Sequence, residues 1–497
     1  MKLNRSFLMN YFATIFVFNV LVSIGAHAAT NSVSQLWAHP RGGKAMAMDS
    51  NGNVVVTGGS TAKYATTDGL LLWEHKNDPT NNPNPVVVAV AVDAHGDVFV
   101  AGRTNADLYI AKYAAADGIL LWERSYNGPA NLGDSVQALA LDTNGNVFVA
   151  GRIDFEVHEI GDWLSARWYV AKYAAPDGAL LWEALGPTNE LNELSAVAVD
   201  ASGDVIVSGN FGSPDTSRDW ITVKYAATNG MKLWEHRYDS PSHEYDEAYA
   251  LALDAAGNVV VAGVSYDGEG GRSVAKYAAA NGALLWEKWV PASVIGSIGI
   301  ARDGNVFLAG AKIKTGTTGF FSDNDFYTAK YTAEGALLWE KQHHVGTEGV
   351  ASLALDANGN PIVTGTSIYP VPHHDIHTIK YASADGAVLW EERYGEGNGD
   401  SEQAGAVAVG SGGSVVVFGN VLVAYRETLP PLSLTNGTNG NCDVSFTGTV
   451  GLTYRLQRAA NLNGPWETVA SSTTLSGIIY FSDTNNMSQV FYRVAQP

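Results

Sequence analysis

The chain has 497 residues, with 53 glycines and 10% aromatic residues, and its net charge is −20 because 50 acidic residues outnumber 30 basic ones. Such a charge repels nucleic acid and anionic lipid, so neither is expected as a partner. The single cysteine, Cys442, excludes an internal disulfide and a redox pair of neighbouring cysteines.

The N-terminal residues have the pattern of a secretory signal peptide. Lys2 and Arg5 precede an apolar run from Phe7 to Val22, and Ala26-His27-Ala28 is a small-x-small cleavage site. A retained membrane anchor is the alternative, but asparagines interrupt this run, and it is shorter than the ~20 residues that span a bilayer. We therefore predict a signal peptide at 1–28 and an exported, monomeric mature chain with no later membrane span.

One hairpin recurs along the chain. From Lys112 to Glu123 an alternating strand ends in Lys-Tyr, Asp117-Gly118 forms a turn, and an apolar strand ends in Trp-Glu. Asp-Gly between apolar strands predicts a tight hairpin, because glycine accepts a positive φ. The same phrase ends at six further tryptophans, Trp73, Trp182, Trp234, Trp286, Trp339 and Trp390. A second turn glycine occurs eight times, as Gly52, Gly96, Gly145, Gly203, Gly257, Gly304, Gly359 and Gly413.

A unit of ~50 residues with four strands predicts a β-propeller. The Trp strand also occurs eight times, since Trp37 is an isolated copy before the first unit, whereas the last unit has none of its own. Both facts predict an all-β, eight-bladed propeller over 29–427 whose N-terminal strand completes the last blade. We interpret the tryptophans as outer-strand residues that pack between blades, and a ligand platform is the alternative.

The repeat resembles known bacterial propeller families. Gly133 to Asp142, with the Asp-x-x-Gly-Asn-Val-x-Val-x-Gly phrase, is similar to the SBBP-type repeat, and the Ala-x-Asp-Gly-x-x-x-Trp hairpin resembles the tryptophan-docking motif of PQQ-type propellers. The resemblance extends from Trp37 to Arg426 and implies a fold rather than a function. Ala301 and Gly410 replace the aspartate that begins the turn in the other units.

The C-terminal part has a different pattern. The repeat stops before Pro430-Pro431, which predicts a linker at 428–432. Residues 433–497 contain alternating strands without helical periodicity. They resemble the small immunoglobulin-like or fibronectin-III-like β-sandwich at the C-terminus of many exported bacterial proteins. The resemblance implies an interaction or attachment module.

The chemistry is expected on one face of the ring. The two short turns of every blade share one face, here called the turn face, and their sequences are nearly constant. The opposite face, here called the loop face, receives the variable loops after Val-x-Gly and after Trp-Glu. Function usually lies on variable loops held by a rigid scaffold, so we expect ligands at the loop face.

Histidines on the loop face are candidate metal ligands. His343 and His344 follow one Trp strand, and His373, His374 and His377 lie in the next loop of the same face. Imidazole combined with carboxylate suits zinc or another transition metal. Exposed loop histidines without a metal are the alternative, since His374 and His377 do not alternate onto one face of a strand.

Acidic loops offer oxygen ligands for Ca²⁺. Glu396, Asn398 and Asp400 occupy alternate positions of one such loop, although the spacing is not that of an EF-hand. Solvated loops are the alternative. A looser acidic loop contains Asp239 and Glu244, which are candidate ligand-binding residues. No cofactor other than Ca²⁺ is indicated.

The longest insertion combines aromatic and acidic side chains. It runs from Arg152 to Trp168 and contains the candidate ligand-binding residues Asp154, Glu156, Trp163 and Trp168. Tryptophan beside carboxylate suits a sugar or a peptide, and the alternative is that the tryptophans pin the insertion to its own blade.

Catalytic signatures are absent from the sequence. It contains no Gly-x-Ser-x-Gly elbow, no His-Glu-x-x-His and no phosphate loop, while a glycosidase carboxylate pair stays open. The recurring Lys before Tyr and Glu after Trp are interpreted as cross-strand ion pairs, as for Lys112, Lys172 and Lys276 with Glu123, Glu183 and Glu287.

Together these patterns predict a secreted or cell-surface, non-catalytic scaffold that recognises a protein or polysaccharide partner through its loop face. One alternative is an enzyme on the same propeller, either a PQQ-dependent dehydrogenase or a carbohydrate-active hydrolase. Another is a purely structural spacer.

Overall fold

A computed structural model gives the architecture of the chain. It describes residues 13–14, 32–76, 85–157, 164–187, 191–212, 218–240, 243, 246–265, 272–292, 294–313, 324–344, 349–368, 374–395, 401–410, 413–428, 433–436, 442–447, 453–460, 465–473, 478–483 and 491–495. All regular elements in these ranges are β-strands. Among these residues no helix has the length and hydrophobicity to cross a membrane.

The strands form eight blades in chain order. Blades 1 to 4 contain β3 (Ala45–Met48), β4 (Val54–Thr57), β5 (Ser60–Tyr64), β6 (Leu71–Lys76); β7 (Val86–Val92), β8 (Val98–Thr104), β9 (Asp107–Tyr113), β10 (Leu120–Tyr126); β11 (Gly133–Leu141), β12 (Val147–Val157), β13 (Leu164–Tyr173), β14 (Leu180–Leu185); and β15 (Leu191–Val199), β16 (Val205–Gly212), β17 (Asp219–Tyr225), β18 (Lys232–Tyr238). Consecutive strands pair antiparallel within each blade, and one parallel pair, Ala166 with Leu191, joins blades 3 and 4.

The second half of the ring repeats this order. Blades 5 to 7 contain β19 (Asp246–Leu253), β20 (Val259–Ser265), β21 (Arg272–Tyr277), β22 (Leu284–Val290); β23 (Val294–Ile300), β24 (Val306–Ile313), β25 (Asn324–Tyr331), β26 (Leu337–His344); and β27 (Val350–Leu355), β28 (Pro361–Ile368), β29 (His374–Tyr381), β30 (Val388–Tyr394). Blade 8 contains β31 (Ala404–Val409), β32 (Ser414–Gly419), β33 (Leu422–Thr428) and the N-terminal strand β2 (Ser32–His39).

The N-terminal strand closes the ring, as the repeat count predicts. Blade 8 has the strand order β2-β33-β32-β31, so β2 takes the outer position that the other blades fill with their own Trp strand. The first strands of neighbouring blades contact one another around the whole ring, including β31 against β3. The protein is therefore an eight-bladed propeller.

Tryptophans dock each blade onto the next. The ring of Trp73 lies on Gly118 of the following blade, and its Nε1 donates to the Ala115 carbonyl at 3.1 Å. The contact recurs at Trp122, Trp182, Trp234, Trp286 and Trp339. Trp37 makes it across the closure, with Nε1 2.8 Å from the Thr66 carbonyl. The predicted packing role is confirmed.

Buried lysines and turn aspartates tie strands together at the turn face. Lys172 Nζ lies 3.0 Å from Asp142 Oδ2, and the other oxygen of Asp142 accepts the backbone N–H groups of Asn144 and Asn146. Burial raises the pKa of Asp142, but the bonds from Asn146 and Lys172 outweigh burial and hold the pKa below its usual value. Equivalent pairs are Lys63–Asp49, Lys112–Asp93, Lys224–Asp200, Lys276–Asp254 and Lys380–Asp356.

These contacts correct the prediction of Lys–Glu pairs. The lysine lies opposite tryptophan in the ladder, as Lys112 does opposite Trp122. The glutamate beside that tryptophan, Glu123, instead accepts the hydroxyl of Tyr109 at 3.0 Å. The reason is geometric, because adjacent residues of a strand point to opposite sides of the sheet.

The other described strands form a small β-sandwich. Gln35–Arg426 form one compact unit of the chain, and Met1–Ser34 with Glu427–Pro497 form the other. One sheet has the order β34 (Ser433–Asn436), β35 (Cys442–Thr447), β38 (Ile478–Asp483), and the other β1 (Ala13–Thr14), β39 (Phe491–Ala495), β36 (Thr453–Ala459), β37 (Glu467–Thr473). Phe446, Tyr454 and Phe481 belong to its core. β1 falls inside the predicted signal peptide, and β39 also pairs with β36.

Candidate functional site

Three positions meet at the joints between neighbouring blades, and together they are called the joint triad here. The first is the residue four positions after a docking tryptophan. The second is the residue four positions before the tyrosine of the Lys-Tyr pair in the next blade. The third is the glutamate directly after the tryptophan of that next blade. At the closure these are Arg41, Ser60 and Glu74, with Arg41 Nη2 and Ser60 Oγ 2.9 and 2.7 Å from Glu74 Oε1. The glutamate is thus a common acceptor for two blades.

Other joints fill the triad with tyrosine. Between blades 2 and 3 the rings of Tyr126 and Tyr169 lie 4.6 Å apart, and Tyr126 hydrogen-bonds Glu183. Between blades 4 and 5 Tyr238 donates its hydroxyl to Glu287 at 2.7 Å. The triad is therefore a structural contact at several joints of the ring.

Two imidazoles occupy the triad between blades 6 and 7. His343 is the penultimate residue of β26, while His377 and Glu391 belong to β29 and β30. Nε2 of His377 lies 2.8 Å from Glu391 Oε1, and Nε2 of His343 lies 3.3 Å from the same oxygen. The two imidazole rings lie 5.5 Å apart at 72°.

The three side chains differ in exposure. His377 is fully buried and packs against Phe326, with 5.5 Å between ring centroids. His343 and Glu391 are 26% and 32% exposed, so solvent reaches them from one side. Burial, assisted by the charge of Arg393, lowers the pKa of His377 to about 4. The Nδ1 of His377 has no hydrogen-bond partner among the described residues, so the ring's polar contact is with Glu391.

Only part of the predicted histidine group comes together. His344 points elsewhere, with Nδ1 2.7 Å from Asp325, and is 61% exposed. His374 begins β29 and is not one of the clustered ligands, and His373 lies outside the described residues. The cluster instead gains Glu391, which the sequence interpretation omitted.

A second cluster contains the predicted residue Asp239. Its carboxylate lies near those of Asp219 and Asp246, with one oxygen of each within 4.8 Å of the others. Burial and the neighbouring Asp239 and Asp246 raise the pKa of Asp219 to about 6. Asp246 is buried and accepts the backbone N–H of Ser240 at 2.6 Å, as Asp134 does from Gly128 in blade 3. Asp246 therefore holds its own loop.

The long insertion uses two predicted ligand-binding residues for packing, which corrects that assignment. Trp168 is 5% exposed, lies against Gly186 and joins the core between blades 3 and 4, so its ring does not face solvent. Asp154 has a 9% exposed side chain, and it accepts the Ala130 N–H at 2.8 Å. Both are occupied within the fold.

The remaining predicted residues are not placed by the structure. Glu156 belongs to β12, but its side chain is outside the described part of the chain. Trp163 and Glu244 lie outside the described residues, as do the proposed Ca²⁺ ligands Glu396, Asn398 and Asp400. These assignments stay predictions.

A cleft of about 510 Å³ opens at the turn face beside blades 6 to 8. Ala301 and Gly410, which replace the turn aspartate, both line it, as do Arg302, Asp303 and Asp356. Without an aspartate at 301, Lys330 Nζ keeps the bond that the other lysines make to a carbonyl of the next blade, here that of Ser383 at 2.9 Å, and also donates to Ser383 Oγ at 2.9 Å. Burial lowers the pKa of Lys330, against the charge of Asp303.

Comparison with known proteins identifies the family. A family model described as outer membrane protein assembly factor BamB matches residues 26–160 and 217–425. The chain belongs to this family. No curated protein matches it.

Solved structures similar to this BamB-family chain show the same fold. BamB from Moraxella catarrhalis has a TM-score of 0.51 at 11% identity, covering 80% of this chain and 100% of that chain. Quinohemoprotein alcohol dehydrogenase from Comamonas testosteroni has a TM-score of 0.52 at 13% identity, covering 82% and 79%. The Dos1 propeller has a TM-score of 0.52 at 10% identity, covering 79% and 95%. These identities support the fold alone.

Two features of this family member that the sequence predictions missed, Glu391 and the turn-face cleft, each have a recognisable sequence pattern. Glu391 follows a tryptophan in the recurring Trp-Glu phrase, and this regularity led to its interpretation as a structural pair. The cleft could have been recognised from Ala301 and Gly410, because a missing aspartate side chain leaves volume at both turns.

Blade 6, in which Ala301 replaces the turn aspartate, provides a stability prediction. Lys330→Met is expected to lower the free energy of unfolding by about 1 kcal/mol or less, since it removes a buried cation that has no paired aspartate at position 301. Lys172→Met leaves Asp142 buried without its cation and is expected to cost about 3 kcal/mol. Chemical denaturation of both variants measures the difference. Equal losses of unfolding free energy in the two variants would contradict the predicted difference between blade 6 and blade 3.

Proposed function

We propose that the protein is an exported, non-catalytic scaffold that recognises a protein partner through its loop face. The observation that carries the proposal is the difference between the faces. The turn face repeats one hydrogen-bonded turn, whereas the loop face carries a different set of charges in each blade, such as Arg152–Glu193 and Asp239–His243. With a net charge of −20, the partner's contact surface is expected to be basic.

Family membership supports a protein partner. The matching family model and the Moraxella catarrhalis structure both bear the name BamB, and the model is described as an outer membrane protein assembly factor. We accordingly propose export by the signal peptide at 1–28, a location at the cell envelope or surface, and a monomer. The sandwich at 433–497 is proposed as an immunoglobulin- or fibronectin-III-like attachment module, following the linker at 428–432. Assignment of the blades at 29–427 to the SBBP type also stays a proposal.

A quinone-dependent dehydrogenase is the second candidate, because one similar fold is that of a quinohemoprotein alcohol dehydrogenase. Pyrroloquinoline quinone carries three carboxylates and needs cationic partners. Among the described residues that line the turn-face cleft, Arg302 is the one cation, and it lies beside Asp303 and Asp356. This donor set does not suit the cofactor, so the turn-face cleft does not support the dehydrogenase.

The test compares matched charge reversals on the two faces. Asp239→Lys changes the loop face, and Glu334→Lys makes the same charge change at an exposed position of the turn face. Immobilised mature protein is incubated with cell-envelope extract, and bound proteins are identified by mass spectrometry, with polysaccharide fractions tested in parallel. We expect a protein retained by the wild type and Glu334→Lys and reduced at least tenfold with Asp239→Lys.

Two results would overturn the proposal. One is loss of the partner with Glu334→Lys but not with Asp239→Lys, which would move recognition to the turn face. The other is dye-linked alcohol oxidation by wild-type protein supplied with pyrroloquinoline quinone and Ca²⁺. Retention of a polysaccharide alone would replace the protein partner with a glycan.

A further inference from the structure

The joint between blades 6 and 7 differs chemically from the other joints. Among the eight joints of the sequence, it alone has histidine at both donor positions of the triad, His343 and His377. At the joints between blades 8 and 1, 2 and 3, and 4 and 5, hydroxyl groups or arginine donate to the shared glutamate, as Ser60 and Arg41 do to Glu74. A hydroxyl group would make the same hydrogen bond to the glutamate. The two imidazoles therefore offer ligand nitrogens that the fold itself does not need.

We propose that His343, His377 and Glu391 bind a zinc ion that bridges blades 6 and 7. Two imidazole nitrogens and one carboxylate oxygen are a ligand set that Zn²⁺ uses, with a fourth position left for water or an incoming ligand. Ca²⁺ and Mg²⁺ prefer all-oxygen sites, so the two nitrogens select a transition metal. This site is independent of the proposed partner recognition.

The distances between the three ligand side chains are already close to those around a tetrahedral zinc ion. Ligands about 2.0–2.2 Å from a tetrahedral ion lie about 3.3 Å from one another. His343 Nε2 and Glu391 Oε1 are already 3.3 Å apart, and His377 Nε2 is 2.8 Å from that oxygen. One atom of each residue lies within 4.8 Å of the others, so side-chain rotation alone would bring the set around an ion. The buried His377 supplies a fixed ligand, and the partly exposed His343 and Glu391 provide the entry side.

Arg393 is the cation that opposes an incoming ion. Its Nη2 lies 3.9 Å from Glu391 Oε1, and its side chain is 33% exposed. Its charge can therefore turn towards solvent when a metal binds. Arg393→Gln is expected to tighten zinc binding several-fold, because it removes a like charge beside the ion.

The chain itself suggests the matched control. The double variant His343→Tyr with His377→Tyr reproduces the triad of Tyr126, Tyr169 and Glu183 between blades 2 and 3. It should keep the joint packed while removing both nitrogen ligands. His344→Ala removes a neighbouring exposed histidine that is paired with Asp325 and should leave binding unchanged.

Metal-free mature protein is titrated with Zn²⁺ by calorimetry and with Co²⁺ by visible absorption, and its unfolding temperature is recorded with and without zinc. We expect one Zn²⁺ per chain with micromolar or tighter affinity, the strong absorption of tetrahedral Co²⁺, and a higher unfolding temperature with zinc. The double tyrosine variant should bind at least a hundredfold more weakly and lose the Co²⁺ absorption.

The proposal would be overturned if the wild-type protein bound no zinc at about 100 μM Zn²⁺, roughly a hundred times the expected dissociation constant. A double variant that binds zinc as tightly as the wild type would also overturn it. If the double variant fails to fold, His343→Ala provides the same test, because it retains the bond between His377 and Glu391. That variant should lose at least tenfold in affinity, and unchanged affinity would also contradict the site.

Discussion

Deletion of the residues up to His39 from the mature chain is expected to lower the unfolding temperature more than any single substitution described above. The deletion removes β2, which pairs with β33, and with it the docking of Trp37 on Thr66 and Gly69 of blade 1. Replacing a packed tryptophan by alanine alone costs about 3–5 kcal/mol. Loss of the strand also leaves β33 as an open edge. Scanning calorimetry or circular dichroism on heating measures the change.

Two single substitutions on β2 separate packing from strand pairing. Trp37→Ala should reproduce a large part of the loss, because it removes the contact across the closure but leaves the backbone in place. Gln35→Ala, at an exposed position of the same strand, should stay within about 0.5 kcal/mol of the wild type. A shortened chain that unfolds at the wild-type temperature would show that β2 does not hold the ring closed.

Gly118→Ala is also expected to have a large effect, with a loss of about 3 kcal/mol or more in the free energy of unfolding. Two costs combine at this position. Gly118 has a φ of +69°, and an added Cβ would lie 2.5 Å from the ring of Trp73. Alanine would therefore strain the turn and displace the tryptophan from its dock. Chemical denaturation gives the loss, and tryptophan fluorescence reports the displaced ring.

Gly52→Ala is the matched control because it isolates the backbone cost. Gly52 has a φ of +83°, but no atom lies within 4 Å of the position of a Cβ. Its replacement should cost only the strain of a left-handed alanine, about 1–2 kcal/mol. Equal losses at Gly52 and Gly118 would mean that the contact with Trp73 contributes nothing.

The fold could be predicted because its determinants are local and repeated. Each Asp-Gly turn and each Trp-Glu phrase is readable within about a dozen residues, and Trp37 without a unit predicts closure by simple counting. The pairing of Lys172 with Asp142 was not recognised, because the two residues lie 30 positions apart and meet only through the fold of the blade.

The candidate site was only half predictable for a related reason. His343 and His377 stand out because histidine is rare in the repeat, whereas Glu391 is one of many identical glutamates. Their meeting depends on which side of β29 and β30 faces the preceding blade. That side is set by strand alternation and by the docking of Trp339 on blade 7, a contact between residues 44 positions apart. Loop spacing alone does not contain this information, so His344 and His374 seemed equally suitable.

The position of β2 near the start of the chain also determines when the ring can close during biosynthesis. β2 leaves the ribosome first among the propeller strands, and its partner β33 follows about 380 residues later, which at ~5–20 residues per second means roughly 20–80 s. During this interval the first strand has no partner in its own chain, and an unpaired edge invites association with other chains. Nascent chains at high density are therefore exposed to strand exchange between neighbours, and a chain terminated before Leu422 never acquires the partner of its own first strand.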